Sequence, residues 1–86
     1  MLEVRISKKA KKQLLTINEP ILSQIKTLLE EFAMSFFPKG FDIVKLQGYT
    51  DVYRIRLGKY RLIYKVDFNQ HAIYIGEISL RKDAYK

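Results

Sequence analysis

The chain has no cysteine and no tryptophan, a single histidine and two prolines in 86 residues. Without cysteine there is neither a disulfide framework nor a thiolate zinc site. With His71 alone, a ribonuclease that works through two histidines is excluded, and a Ser-His-Asp arrangement would have only that one base and no nucleophile elbow. His71 stands beside a turn and reads as a surface residue. The acidic residues are scattered, and no pair has metal-ligand spacing. No glycine-rich loop is present that could cradle a phosphate. Two-metal phosphodiester hydrolysis is therefore not expected, and neither a metal nor a cofactor is called for. No stretch approaches the roughly 18 apolar residues of a membrane span. The N-terminus lacks the apolar run of a secretory signal. These features lead to the expectation of a cytoplasmic protein without a membrane partner.

What the chain has instead is positive charge. Sixteen Lys and Arg stand against nine Asp and Glu, a formal net charge of +7. The excess is uneven: +2 over residues 1–44 and +5 over residues 45–86. Such a balance favours nucleic acid, an acidic partner, or both. Eighty-six residues make one domain, spanning 1–86, whose modest core one sheet and a few helices can supply.

The chain is organised around Asp51 to Val66, which reads as two strands joined by a tight turn at Gly58-Lys59. β-Branched, aromatic and aliphatic residues dominate both arms, and glycine can take the positive φ that such a turn needs. Side chains alternate between the two faces of a strand. Tyr53, Ile55 and Leu57 then share one face with Leu62, Tyr64 and Val66. Arg54, Arg56, Arg61 and Lys65 share the other with Ile63. Like charges facing each other across strands cost stability, so four cations on one hairpin face point to an anionic ligand.

The remaining elements follow in order. Leu2, Val4 and Ile6 alternate with Glu3 and Arg5 as a short half-buried strand. Ser7 is a suitable N-cap for a first helix over 8–17, with Ala10, Leu14 and Ile17 inward and Lys8, Lys9, Lys11 and Lys12 as a solvated face. Asn18-Glu19-Pro20 breaks it, and a second helix runs from about Pro20 to Met34 with Ile21, Ile25, Leu28 and Phe32 on one stripe. Phe36 and Phe37 read as lids on the core. Residues 38–51 form a loop with an extended piece from Phe41 to Leu46. His71 to Leu80 is the last strand, and Arg81 to Lys86 is a polar tail. The fold expected is α+β: an N-terminal strand, a helical hairpin, then a three-stranded antiparallel meander, with the helices on one face of the sheet and the other face open.

Chemistry on an anion without a metal remains possible. Arg54, Arg56, Arg61 and Arg81 could hold a phosphate, because a guanidinium binds phosphate oxygens through paired donors. Among the tyrosines, Tyr53, Tyr64 and Tyr74 fall on or beside apolar faces and read as core. Tyr85 lies in the tail next to Arg81, Lys82 and Lys86. A cluster of cations stabilises a phenolate, which makes Tyr85 a candidate general base.

Lys45-Leu46-Gln47-Gly48 and Asp51 through Tyr64 resemble the K-L-x-G, Y-R/K-x-R/K-L and G-x-Y-R-x-x-Y elements of the RelE/ParE toxin superfamily. The tail Arg81-Lys82-Asp83-Ala84-Tyr85-Lys86 is similar to the RelE branch, particularly its short archaeal-type members. The resemblance covers the whole chain. It implies the toxin of a type II toxin–antitoxin pair, an mRNA interferase that enters the ribosomal A site and cuts mRNA by attack of the 2′-hydroxyl on the adjacent phosphate. Such a ribonuclease needs no metal. Arg61 would bind the scissile phosphate. Arg81 would stabilise the transition state rather than protonate the leaving oxygen, because a guanidinium is a poor acid at neutral pH, and Tyr85 would be the base or a stacking group. Lys45, Arg54, Arg56, Lys65 and Lys82 would contact RNA. Arg54 and Arg56 stand where several bacterial members carry lysine. Arginine does not deprotonate at neutral pH, which shifts any base role towards Tyr85.

The implied partners are mRNA, the ribosome and a RelB-like antitoxin with an acidic, helical segment that wraps the domain. ParE-type members share the fold but inhibit DNA gyrase, and they typically lack the tail arginine and tyrosine. A gyrase inhibitor, or a catalytically inactive binding module on the same fold, is the alternative.

Overall fold

The computed structural model describes residues 1–81. The elements are β1 (Glu3–Ile6), α1 (Lys8–Leu14), α2 (Ile21–Phe32), β2 (Asp42–Lys45), β3 (Val52–Leu57), β4 (Tyr60–Asp67) and β5 (Ala72–Leu80). They build a five-stranded mixed sheet in the order β1-β5-β4-β3-β2. β1 runs parallel to β5, and every other neighbouring pair is antiparallel. The α+β fold expected from the sequence is the one observed. The extended piece expected over 41–46 is β2, paired with β3 from Asp42↔Arg56 to Lys45↔Tyr53, so the meander has four strands. Its weak sequence signal follows from its place at the sheet edge, where only Ile43 turns towards the core.

The helices cover one face. On α2, Ile25, Leu28 and Phe32 are fully buried against Ile55, Leu62 and Tyr64 of the sheet's inner face. Phe32 and Tyr64 meet with ring centroids 4.7 Å apart. The Tyr64 hydroxyl donates to the Phe36 carbonyl at 2.9 Å, which places a polar group inside the core without leaving it unsatisfied. Phe36 packs against the core as a lid, whereas Phe37 is partly exposed and meets Tyr53 edge-on at 4.8 Å.

α1 is shorter than the periodicity suggests. It ends at Leu14, and Leu15, Thr16 and Ile17 follow with tighter i→i−3 bonds to Lys12, Gln13 and Leu14. The Thr16 hydroxyl takes the Gln13 carbonyl at 2.8 Å, competing with helix continuation. The tightened turn still delivers Ile17 to the core while leaving Leu15 87% exposed.

α1 also guards a sheet edge. β1 pairs β5 only as far as Ile6↔Ile75, which would leave the rest of β5 open. Ser7 caps α1 by accepting from the Ala10 N–H at 3.0 Å, and its own hydroxyl donates to the Gly76 carbonyl at 2.8 Å. The Gln13 side-chain oxygen accepts the Ile78 N–H at 2.6 Å. An edge acceptor and an edge donor that would otherwise template another strand are thus occupied by side chains of α1 and its cap.

At the β3–β4 turn, Gly58 has φ +59°, and a Cβ there would stand 2.7 Å from Ile21 Cδ1. Glycine is required both for the backbone conformation and for the approach of α2 to the turn.

Candidate functional site

The face away from the helices carries the cations. Strand alternation puts Arg54 and Arg56 of β3 on it together with Arg61 and Lys65 of β4, as the sequence suggests. Arg56 stands directly opposite Arg61. Arg54 lies between Val44 on β2 and Ile63 on β4. It is only 8% exposed, and its Nη1 is buried without a hydrogen-bond partner among the described residues. A guanidinium flanked by two apolar neighbours loses hydration without gaining an anion.

Arg81 extends the β5 ladder by one step. Its N–H donates to the Lys59 carbonyl at 2.8 Å, just beyond the Tyr60↔Leu80 pair. Alternation from Ser79, which pairs Arg61, brings Arg81 to the open face beside the turn. Its Nε is buried and has no hydrogen-bond partner among the described residues. Arg56, Arg61 and Arg81 therefore lie near the β3–β4 turn end of one face, with Arg54 one step further along it.

Lys65 lies four residues along β4 from Arg61, roughly 13 Å at the usual rise of a strand. Lys45 is placed differently: it pairs Tyr53, so alternation turns it to the helix side of the edge strand, exposed and apart from the arginines. Lys82 and Tyr85 lie outside the described residues. His71 is exposed at the β4–β5 turn, away from the arginines.

Two residues of this face escaped the sequence reading. Glu77 pairs Ile63 and sits close enough to Arg61 for the two charges to interact. It accepts from Lys9 Nζ at 2.6 Å and from the Ser79 hydroxyl at 3.1 Å. The Lys9 hydrogen bond, followed by that of Ser79, holds its carboxyl below the ordinary value. Lys9, read as part of a solvated face, is thus an ion-pair partner of the sheet.

Tyr74, expected in the core, is the second. It pairs Lys65 and Arg5 on the open face, and the Arg5 guanidinium lies 5.7 Å from its ring centroid. Both misses come from a bulge at Gly76. The register steps from Ile63↔Glu77 to Tyr64↔Ile75, so the inward positions are Ile73 and Ile75 before it and Ile78 and Leu80 after it. The break in the alternating isoleucines was the available signal.

Among the described residues, no group of three His, Cys, Asp or Glu comes together as a metal site. No helix among them is long and apolar enough to cross a membrane. What the face offers is an array of fixed, permanently charged donors suited to several phosphate oxygens at once.

Residues 4–85 match the model of the family described as ParE toxin of type II toxin-antitoxin system, parDE. The chain belongs to this toxin family. It is also 39% identical to the RelE1 protein of Methanocaldococcus jannaschii over 84 residues, covering 96% of this chain and 93% of that one. Two solved structures of RelE with RelB superpose with a TM-score of 0.83 at 30% identity. The Pyrococcus horikoshii complex covers 93% of this chain and 94% of that one. The complex described as from Methanococcus jannaschii covers 94% of each. The toxin is accordingly of the RelE type, as the hairpin and tail motifs imply. The arginine face is the feature of this toxin with the clearest chemical purpose.

Proposed function

We propose that this RelE-family toxin is a ribosome-dependent endoribonuclease that cuts mRNA in the A site without a metal. The observation that carries the reading is the convergence of Arg54, Arg56, Arg61 and Arg81 on one open face, two of them with buried nitrogens lacking a hydrogen-bond partner. Cations held this way, against the cost of desolvation and mutual repulsion, suit a polyanion whose charge rises in the transition state.

In the reaction, the substrate's 2′-oxygen gives its proton to a base and forms a bond to the adjacent phosphorus. The bond from phosphorus to the 5′-oxygen breaks, and that oxygen takes up a proton. The products are a 2′,3′-cyclic phosphate and a 5′-hydroxyl end. Arg61 binds the scissile phosphate, with the Glu77 carboxylate close enough to interact with its charge. Arg81 stabilises the charge that develops on the equatorial oxygens. Arg54, Arg56 and Lys65 hold the flanking backbone, with Lys82 as a further RNA contact; Lys45, on the helix side of β2, is left out of this path. The base is Tyr85, a role that rests on the resemblance of the tail to RelE proteins. DNA lacks the 2′-hydroxyl and cannot react this way.

A RelB-like antitoxin is the expected protein partner, since the two archaeal structures that this chain resembles are complexes of RelE with RelB. The toxin would act in the cytoplasm, where mRNA is translated. A second reading, gyrase inhibition, is favoured by the ParE name of the matching family.

The test is expression of Arg61→Ala and Arg81→Ala beside the wild-type protein, with folding checked by thermal denaturation. The expected result is growth arrest with cut mRNA for the wild type and loss of both for the folded variants. Arrest accompanied by DNA damage and intact mRNA would move the assignment to gyrase.

A further inference from the structure

Bond breaking at the scissile phosphate uses only the Arg61 and Arg81 end of the open face. At the other end is a cleft of about 640 Å³ beneath the β4–β5 turn, lined by Asp51, Lys65, Asp67, Phe68, Asn69 and Tyr74. It continues the arginine face, because Lys65 belongs both to the cleft and to the row that begins at Arg61. The spacing of roughly 13 Å exceeds the ~3.4 Å rise of one stacked nucleotide several-fold, so a splayed single strand would reach from one end to the other.

The lining is wrong for a phosphate and right for a base. Two carboxylates, Asp51 and Asp67, would repel an anion. Asp67 is held in place by accepting the Gln70 N–H at 3.0 Å. Tyr74 offers an aromatic ring, braced by Arg5, which is itself tied to Glu3 by two hydrogen bonds of 3.0 Å. Single-stranded RNA is read by stacking unpaired bases on such rings and by hydrogen bonds to their edges. Carboxylate acceptors select edges that carry an amino donor, as they do for the cytosine N4 group.

We propose that this cleft is a nucleobase subsite: it stacks an unpaired base of the bound strand on Tyr74 and favours adenine, cytosine or guanine over uracil through Asp51 and Asp67. The proposal rests on the reading that RNA lies along the arginine face. Lys65 holds the backbone at the mouth, and Asn69 offers both a donor and an acceptor to the base edge.

The experiment is an amide NMR titration of the intact protein with 2′-O-methyl tetranucleotides of adenosine, cytidine or uridine, which bind without being cut. The expected result is movement of the Asp51, Lys65, Asn69 and Tyr74 amides, with uridine binding about tenfold more weakly, the loss of one charge-assisted hydrogen bond. Tyr74→Leu should weaken the adenosine oligomer ~5-fold or more, while Tyr74→Phe keeps its affinity. Amide dispersion in the same spectra reports whether each variant is folded. Asp51→Asn, tolerable at the positive φ of that residue, should narrow the gap between uridine and the other two. Shifts confined to the arginine end, or equal affinity for all three oligomers, would overturn the proposal. Binding in the cleft by a protein that never cuts mRNA would leave the subsite standing and remove the nuclease reading. Cutting with a silent cleft would do the reverse.

Discussion

Replacing Arg54 by methionine should make the protein more stable and less able to act on RNA. The guanidinium is 8% exposed, stands between Val44 and Ile63, and has a buried Nη1 without a hydrogen-bond partner among the described residues. Its diagonal neighbours on β4 are Arg61 and Lys65, so the local field is repulsive as well. An unsatisfied buried donor costs ~1–3 kcal/mol. Methionine keeps the length of the stem and completes an apolar row across β2, β3 and β4. Allowing for some lost stem packing, the net gain is about 1–2 kcal/mol. In a domain of this size that raises Tm by roughly 5–15 °C. Urea unfolding at unchanged slope gives the stability, and single-turnover cleavage on ribosomes gives the activity. The activity should fall at least ~10-fold, the loss of one charge-assisted contact to the backbone. A folded-state loss of 1 kcal/mol or more at unchanged slope would refute the reasoning, because it would mean that the protein itself holds this charge favourably.

Two further substitutions test the scaffold. Gly58→Ala should destabilise by ~1–2 kcal/mol, mainly through the left-handed backbone, since the clash is with the flexible end of Ile21; combining it with Ile21→Ala should not restore Gly58→Ala to the stability of Ile21→Ala alone, as denaturant titration would show. Tyr64→Phe should cost ~1–2 kcal/mol by leaving the Phe36 carbonyl unpaired. Burial, then the nearby Tyr53, pushes the Tyr64 phenol far above its ordinary 10.0, so the folded state keeps the proton that the unfolded chain loses. The contribution is whole below pH 10 and declines as pH rises past it, so stability measured from pH 8 to 11 should fall less steeply in Tyr64→Phe than in the wild type.

The hairpin was the most legible part of the chain. Alternation placed residues 53–57 and 61–66 on their observed faces, because both strands are interior, paired on two sides and packed on one. The same rule failed in β5, where the bulge at Gly76 changes the phase and carries Glu77 to the arginine face. A period-2 pattern contains no statement about an inserted residue until the partner strand is known. Lys45 shows a related limit. Its motif position is readable in the sequence, but the face it occupies depends on the register of β2 against β3, a tertiary property. The early end of α1 is also tertiary: Gln13 is drawn to the Ile78 N–H of β5, and Thr16 takes the carbonyl that would continue the helix. The convergence of Arg81 with Arg61 depends on the β4–β5 pairing, which no local pattern encodes.

The central claim is that RNA on this face is cut by its own 2′-hydroxyl in the ribosomal A site. It is tested most directly by primer extension on a defined mRNA with translating ribosomes, using two messages that differ by a single 2′-deoxynucleotide at the cut. The account predicts a cut within the A-site codon of the all-ribose message, none in the deoxy-substituted one, and none in either without ribosomes. Equal cutting of both messages, or no cutting by folded protein on active ribosomes, would contradict it.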